Sequence, residues 1–250
     1  MLAKSAALAL LLAAGPAGGP TPAPAAAPAG ATAGTPVAAT PATPAAPGSA
    51  PAAAAVPAPA SAEATALARR VQRFYESTRD LRARFVQTYT YAALGRRQVS
   101  KGTLEVKKPG RMRWDYASPS TKTIAVNGSR LVQWEPEANQ AFVDDRFDAT
   151  AMSAAVTFLL GKGSLEKEFL LSAGPDGALV LHPRQPDPRV ETVTLTVGPE
   201  GEVTRTRVVD GQGNVNDLAF EEIRRNVGIP DARFTVEIPA DARRLSLPGK

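Results

Sequence analysis

Residues 101–143 read KGTLEVKKPGRMRWDYASPSTKTIAVNGSRLVQWEPEANQAFV. Apolar and polar residues alternate here in short runs rich in β-branched and aromatic side chains, the period of strands with one buried face. Turn-forming pairs punctuate them, so strands are expected at 99–107, 111–116, 122–126, 131–135 and 140–143. Asn127-Gly128 lies between two such runs and is a strong short-range hairpin signal, since both residues tolerate positive φ. Asn127-Gly128-Ser129 also fits a glycosylation sequon, but a tight turn explains it better. The stretch carries large apolar side chains and no group fit for catalysis.

Working outward, residues 63–80 have a helical period. Ala64, Leu67, Val71, Phe74 and Thr78 recur at three- and four-residue steps, with Arg69, Arg70, Arg73 and Glu76 facing away. The period then changes to two, and a strand runs over 81–91. Residues 149–160 (ATAMSAAVTFLL) interrupt the strands with a second helix, which Asp148 can cap and Gly161 can end. That helix carries no charge, so it is either buried or covers something apolar. Strands resume at 168–172, 179–182, 191–197, 203–209 and 216–225, with a last short one at 233–238. About eleven strands and two main helices make a mostly β protein with helices (α+β). The economical arrangement is a strongly curved antiparallel sheet with helices on its concave face.

The N-terminus reads as a secretory signal over 1–17. Lys4 precedes an apolar run (SAALALLLAA) too short for the ~20 residues a spanning helix needs, and cleavage is expected near Ala17. Residues 18–62 are almost wholly Ala, Pro, Gly, Thr and Ser and offer little to bury, which reads as a disordered tether. The folded domain is therefore expected over 63–250, long enough for one sizeable core. Lys4 is the only charged side chain before Glu63, so 28 basic and 24 acidic residues fall in the domain, a net charge of +4. That modest balance, with export, argues against nucleic acid.

The chain has no cysteine and one histidine. Thiol chemistry, disulfides, lipidation at an N-terminal cysteine and multi-histidine metal sites are thereby excluded. His182 stands alone in an apolar strand, where a structural role is usual. Gly161-Lys162-Gly163-Ser164 fails the phosphate-loop pattern, because Val156 stands at its first glycine and Gly163 directly follows the lysine. Asp144, Asp145 and Asp148 lack calcium-loop spacing. Neither an enzyme nor a cofactor is expected. Arg96, Arg97, Lys101, Lys107, Lys108, Arg111 and Arg113 form a basic stretch whose only acid is Glu105. It reads either as a solvated strand face or as a docking rim for an acidic partner or anionic head groups.

The chain resembles the LolA family of periplasmic lipoprotein carriers. Gly102, Leu104, Val106, Lys107, Lys108 and Pro109 follow the family's "G-x-L-x-V-K-R-P". Met112 and Trp114 follow its "F-x-W", and Asn127, Gly128, Leu131, Trp134 and Pro136 its "D-G-K-x-L-W-x-Y-x-P". The "R-F-V-Q-T" after the first helix and the ending "I-P-D-A-R-F-T-V-E-I-P" are similar as well. The resemblance implies an incomplete β-barrel with a helical lid over an apolar cavity. It implies a monomer in the periplasm that shields acyl chains of lipoproteins, loaded by an inner-membrane ATP-dependent exporter and unloaded to an outer-membrane receptor. Candidate cavity residues are Phe85, Leu104, Val106, Met112, Trp114, Ile124, Trp134, Phe142, Met152, Val156 and Leu159, and ordinary core is the plain alternative for each. Lys108 stands where the family has the Arg that latches the lid; it keeps the charge but loses the planar fork. Arg96, Arg97, Lys101, Arg111 and Arg113 are the partner-docking candidates. Two other roles stay open: a carrier of another acylated lipid or glycolipid, and a non-carrying lipoprotein sensor or scaffold.

Overall fold

The computed structural model describes residues 61–148 and 164–246. The expected signal, the expected tether up to residue 60 and the helix expected at 149–160 lie outside the described residues; Ser61 and Ala62, expected in the tether, instead start the first helix. Helix α1 (Ala62–Glu76) opens the domain. The Ser61 hydroxyl accepts from the Ala64 main-chain N–H at 3.1 Å, satisfying a donor that the first turn leaves unpaired. Its face of Ala64, Ala68, Val71, Phe74 and Tyr75 is buried. The helix stops earlier than its apolar period predicts, because Ser77 and Thr78 turn their hydroxyls back on the carbonyls of Arg73 and Phe74.

Twelve strands follow among the described residues: β1 (Asp80–Tyr91), β2 (Arg96–Lys107), β3 (Arg111–Ser118), β4 (Lys122–Asn127), β5 (Arg130–Glu135), β6 (Gln140–Asp144), β7 (Phe169–Ala173), β8 (Leu179–Pro183), β9 (Thr192–Val197), β10 (Val203–Val209), β11 (Val215–Arg225) and β12 (Arg243–Ser246). A one-turn helix, α2 (Leu165–Glu168), precedes β7. The strands form one curved, open sheet in the order β12-β6-β5-β4-β3-β2-β1-β11-β10-β9-β8-β7. Its ends, β12 and β7, do not pair, so the barrel is incomplete. At the centre β1 pairs with β11, far from it in sequence, and β11 bulges opposite Ala83, where Glu222 takes a positive φ of 51°.

Two expectations need correction. The β4–β5 loop is Gly128-Ser129, since Asn127 pairs with Arg130. Only Gly128 has positive φ (64°), the requirement of a II′ turn, so Asn127 ends the strand instead of occupying the turn. At the C-terminus, 233–238 alternates buried and exposed residues without joining a ladder. It follows a 3-10 turn at Asp231–Phe234 and lies extended against the outer face, with Phe234 buried. The alternation came from packing on a face, not from strand pairing. The last strand is β12, and it joins β6 in parallel, so the sheet is not wholly antiparallel.

The inner face holds two apolar clusters. One gathers α1, α2 and β7–β10 around Val71, Phe74, Leu179, Leu181 and Val193. The other gathers β1–β5 around Phe85, Met112, Trp114, Ile124 and Leu131. Phe85 stands at the hub of the second, its ring 4.8 Å from Trp114 and 5.0 Å from Tyr116, both edge-on. Gly102 makes room for this. A Cβ there would come 2.8 Å from the Phe85 ring and 2.0 Å from the Asp115 carbonyl oxygen.

Candidate apolar binding cavity

Between the two clusters lies a cavity of about 90 Å³. Leu81, Ala83, Leu104, Val106 and Trp114 form one wall, on β1–β3. Leu181, Val193, Leu195, Val203, Val208 and Leu218 form the other, on β8–β11. The C-terminal turn of α1 crosses the end with Tyr75 and Thr78. Side chains at alternate positions of each strand point inward, so a curved sheet with one apolar parity surrounds an apolar space.

Most of the polar groups on the wall are already engaged. Thr78 donates its hydroxyl to the Phe74 carbonyl at 2.7 Å. Asp80 accepts the main-chain N–H groups of Val227 (2.8 Å) and Gly228 (3.2 Å), holding the loop after β11. Burial pushes the Tyr75 phenol well above its usual range, so it stays neutral beside the Val203 backbone. What faces the void is hydrocarbon, with no nucleophile, acid–base pair or metal-ligand group assembled there among the described residues.

Lys108, just past the end of β2, closes one end of the wall. Its ammonium donates to the Tyr75 carbonyl in the last turn of α1, and its main-chain N–H donates to the Arg79 carbonyl at 2.8 Å. A cation is favoured at a helix C-terminus, where carbonyls lack intrahelical partners. Burial lowers the Lys108 pKa, and Glu76 opposes that shift. The side chain thus ties β2 to α1 by a single hydrogen bond across the cavity's edge.

The candidate cavity residues divide. Leu104, Val106 and Trp114 line the void. Phe85, Met112 and Ile124 are buried in the aromatic cluster behind it, with Phe142 half-buried against them. Trp134 does not face the cavity. It pairs with Thr123 and Ala141, the parity opposite to Ile124, Leu131 and Phe142, and so belongs to the outer face. Met152, Val156 and Leu159 lie outside the described residues. The wall from β8 to β11 went unassigned in the sequence, although part of its signal was present: apolar residues alternate at Leu179 and Leu181 and at Val193 and Leu195, while Val203 and Val208 share a face only because β10 shifts register after Val203.

The basic stretch divides too. Arg111 Nη2 lies 3.3 Å from Asp231, and Arg113 bonds Asp115 at 2.7 Å and the Arg233 carbonyl at 2.9 Å. Lys107 joins the same set, 2.6 Å from Asp231. These three hold the C-terminal segment on the outer face and are spent inside the chain. Arg97 and Lys101 remain exposed, as does Arg96, whose guanidinium lies 5.9 Å from the Tyr91 ring centre.

This architecture agrees with the comparisons. The family described as "Outer membrane lipoprotein carrier protein LolA" matches residues 76–237. The chain belongs to the LolA family. An outer-membrane lipoprotein carrier protein of Methylobacillus flagellatus is 30% identical over 174 residues, 68% of this chain and 83% of that protein. One from Methylibium petroleiphilum is 33% identical over 165 residues, 64% of this chain and 80% of that one. A solved LolA superfamily protein from Nitrosomonas europaea, 12% identical, covers 69% of this chain and 97% of its own with a TM-score of 0.39, too loose a likeness to bear on function. Within the LolA family frame, Lys108 occupies the position where the resemblance places a latching Arg.

Proposed function

We propose that this chain is a LolA-type carrier that shields the acyl chains of lipoproteins and hands them on without chemical change. The observation that carries the reading is the hydrocarbon-lined cavity beneath α1, tied shut by Lys108. An exposed methylene costs about 0.8 kcal/mol in water, so several acyl chains cannot cross an aqueous space uncovered. The cavity of about 90 Å³ is below the ~300–1,000 Å³ of typical ligand pockets, so taking up several acyl chains requires it to widen. Loading then requires α1 to part from β2, and a latch of one hydrogen bond suits that motion. No bond-making step is needed.

The wider setting extends the same reading. The carrier works in the periplasm as a monomer, takes cargo from an inner-membrane ATP-dependent exporter and yields it to an outer-membrane receptor. Among the described residues no helix is long and apolar enough to cross a membrane. Arg96, Arg97 and Lys101 supply the docking rim, now without Arg111 and Arg113. Residues 18–60 act as a tether that carrying does not require.

Ala83 tests the cavity because it is 2% exposed and lines the void. Ala83→Phe places a ring in that space. A fluorescent fatty acid should lose about tenfold or more in affinity, the effect of roughly 1.4 kcal/mol or more, while the circular dichroism spectrum holds. Thr206→Leu, on the opposite wall, is the second variant should the first misfold. Undiminished binding in both folded variants sinks the cavity assignment. Mass spectrometry of what leaves spheroplast membranes bound to the wild type then distinguishes lipoprotein from another acylated lipid.

A further inference from the structure

Beside the cavity the inner face changes character. Asn216, on the cavity wall, accepts from Gln87 Nε2 at 2.9 Å, and Gln87 Oε1 accepts from the Tyr116 hydroxyl at 3.1 Å. The Lys122 ammonium sits 4.6 Å from the Tyr116 ring centre. Burial lowers the Lys122 pKa, and the Glu135 carboxylate opposes the shift. Glu135 also accepts from Gln133 Nε2 at 2.5 Å and from Gln140 Nε2 at 3.3 Å. A polar path therefore leads from the acyl cavity across β1 and β3 to β4 and β5.

Gln133 is the odd member. It is 6% exposed and faces inward, paired in register with Ile124 and Phe142. Its Oε1 is buried with no hydrogen-bond partner among the described residues. Turning the amide over gives no relief, since it would set Oε1 against the Glu135 carboxylate. Buried acceptors in folded proteins are almost always paired. Here one is left unpaired, on the face of the sheet that also carries the partly desolvated Lys122 ammonium.

We infer that Gln133, Lys122 and Glu135 form a subsite for a peptide amide attached to the acyl chains. This rests on the acyl-carrier reading. Gln133 Oε1 takes the amide N–H and Lys122 Nζ the carbonyl oxygen, while Glu135 fixes both side chains. A free fatty acid has no N–H to give. The site would then distinguish an acylated peptide from a bare acyl chain, which the hydrocarbon wall cannot do.

The test measures competition against a bound fluorescent fatty acid by three probes: a synthetic triacylated cysteinyl tetrapeptide, palmitate and dipalmitoyl phosphatidylethanolamine. Gln133→Leu should weaken the lipopeptide about tenfold, the usual size for one buried hydrogen bond, and palmitate less than about twofold. Lys122→Met should act in the same direction. Gln133→Leu should melt no lower than wild type, because leucine brings no orphaned acceptor. Equal losses for lipopeptide and palmitate would mean a packing change and overturn the subsite. So would unchanged lipopeptide binding, or a loss confined to phosphatidylethanolamine, which would mark a phospholipid head-group site. Wild type that binds none of the three strikes the carrier reading itself, a result distinct from failure of the subsite alone.

Discussion

The two faces of strands β2–β5 are both apolar at their centre, yet they are covered by opposite means. On the outer face Ala125, Val132 and Ala141 are buried, and the chain's own C-terminal segment lies against β3 and β4. Ion pairs hold that segment at several points. Glu105, 2% exposed, meets Arg82 at 2.7 Å and Arg233 at 3.0 Å, while Asp231 meets Lys107 and Arg111. Asp115 adds Arg113 at 2.7 Å and the Thr123 hydroxyl at 2.7 Å. On the inner face a void lies beside β2 and β3, and the last turn of α1 crosses its end, where the Tyr75 carbonyl accepts from Lys108. The outer cover is held by redundant charge pairs, whereas at the cavity's end α1 meets Lys108 through one side-chain hydrogen bond beside a void.

Removing the hub of the outer network is the strongest way to break this contrast. Glu105→Ala leaves Arg82 without its carboxylate and Arg233 with only Asp115, 3.5 Å away, beside a buried gap. It should cost about 3 kcal/mol, the low end for a broken buried pair because both arginines reach water. Urea unfolding checks this, and a loss under about 1 kcal/mol would show the network to be ornamental. Next comes the inner aromatic hub. Gly102→Ala forces a methyl into the Asp115 carbonyl and the Phe85 ring, and overpacking of this kind costs about 2 kcal/mol. Thermal melting would expose a tolerant site by an unshifted midpoint.

The latch should give a smaller loss of stability and a larger change in rate. Lys108→Met removes one hydrogen bond, worth about 1 kcal/mol, and should speed both uptake and release of a fluorescent fatty acid in stopped-flow measurements. Unchanged rates would mean that Lys108 braces the fold without gating it. The mildest probe is acid. The Lys107 hydrogen bond, with Arg111 beside it, holds the Asp231 carboxyl below the usual carboxylate range. A depressed folded pKa contributes stability above the unfolded value of about 3.9, and that stability is lost as pH falls through the folded value. Protease cleavage within 227–246 should therefore rise below about pH 4 before the sheet melts. Equal protection at pH 3 and pH 6 would show that packing alone holds the segment.

The period-two runs between 101 and 143 made the strands legible, because alternation is a local property of a chain with one buried face. Leu104, Val106 and Trp114 were placed on the cavity for the same reason. Trp134 was misplaced because its size, not its parity with Leu131, guided the reading. The turn at Gly128-Ser129 was displaced by one residue, since Asn127 and Gly128 tolerate the same φ and only the register with Arg130 decides between them. Arg111 looked free because its acid, Asp231, lies more than a hundred residues along the chain, as does the Arg233 carbonyl that Arg113 bonds.

By itself the sequence determined the strand periods, the first helix, the absence of thiol chemistry and a likeness to lipoprotein carriers carried by 102–136. These follow from short-range patterning that any folded arrangement must satisfy. Tertiary structure alone decided that β8–β11 supply half the cavity wall, that 229–242 covers the outer face and that β12 joins in parallel. It also decided that Gln133 Oε1 is buried unpaired on the inner face. Each of these depends on curvature and register among distant strands. Alternation shows that a residue faces one side of its strand, but only the closed geometry shows what stands on that side.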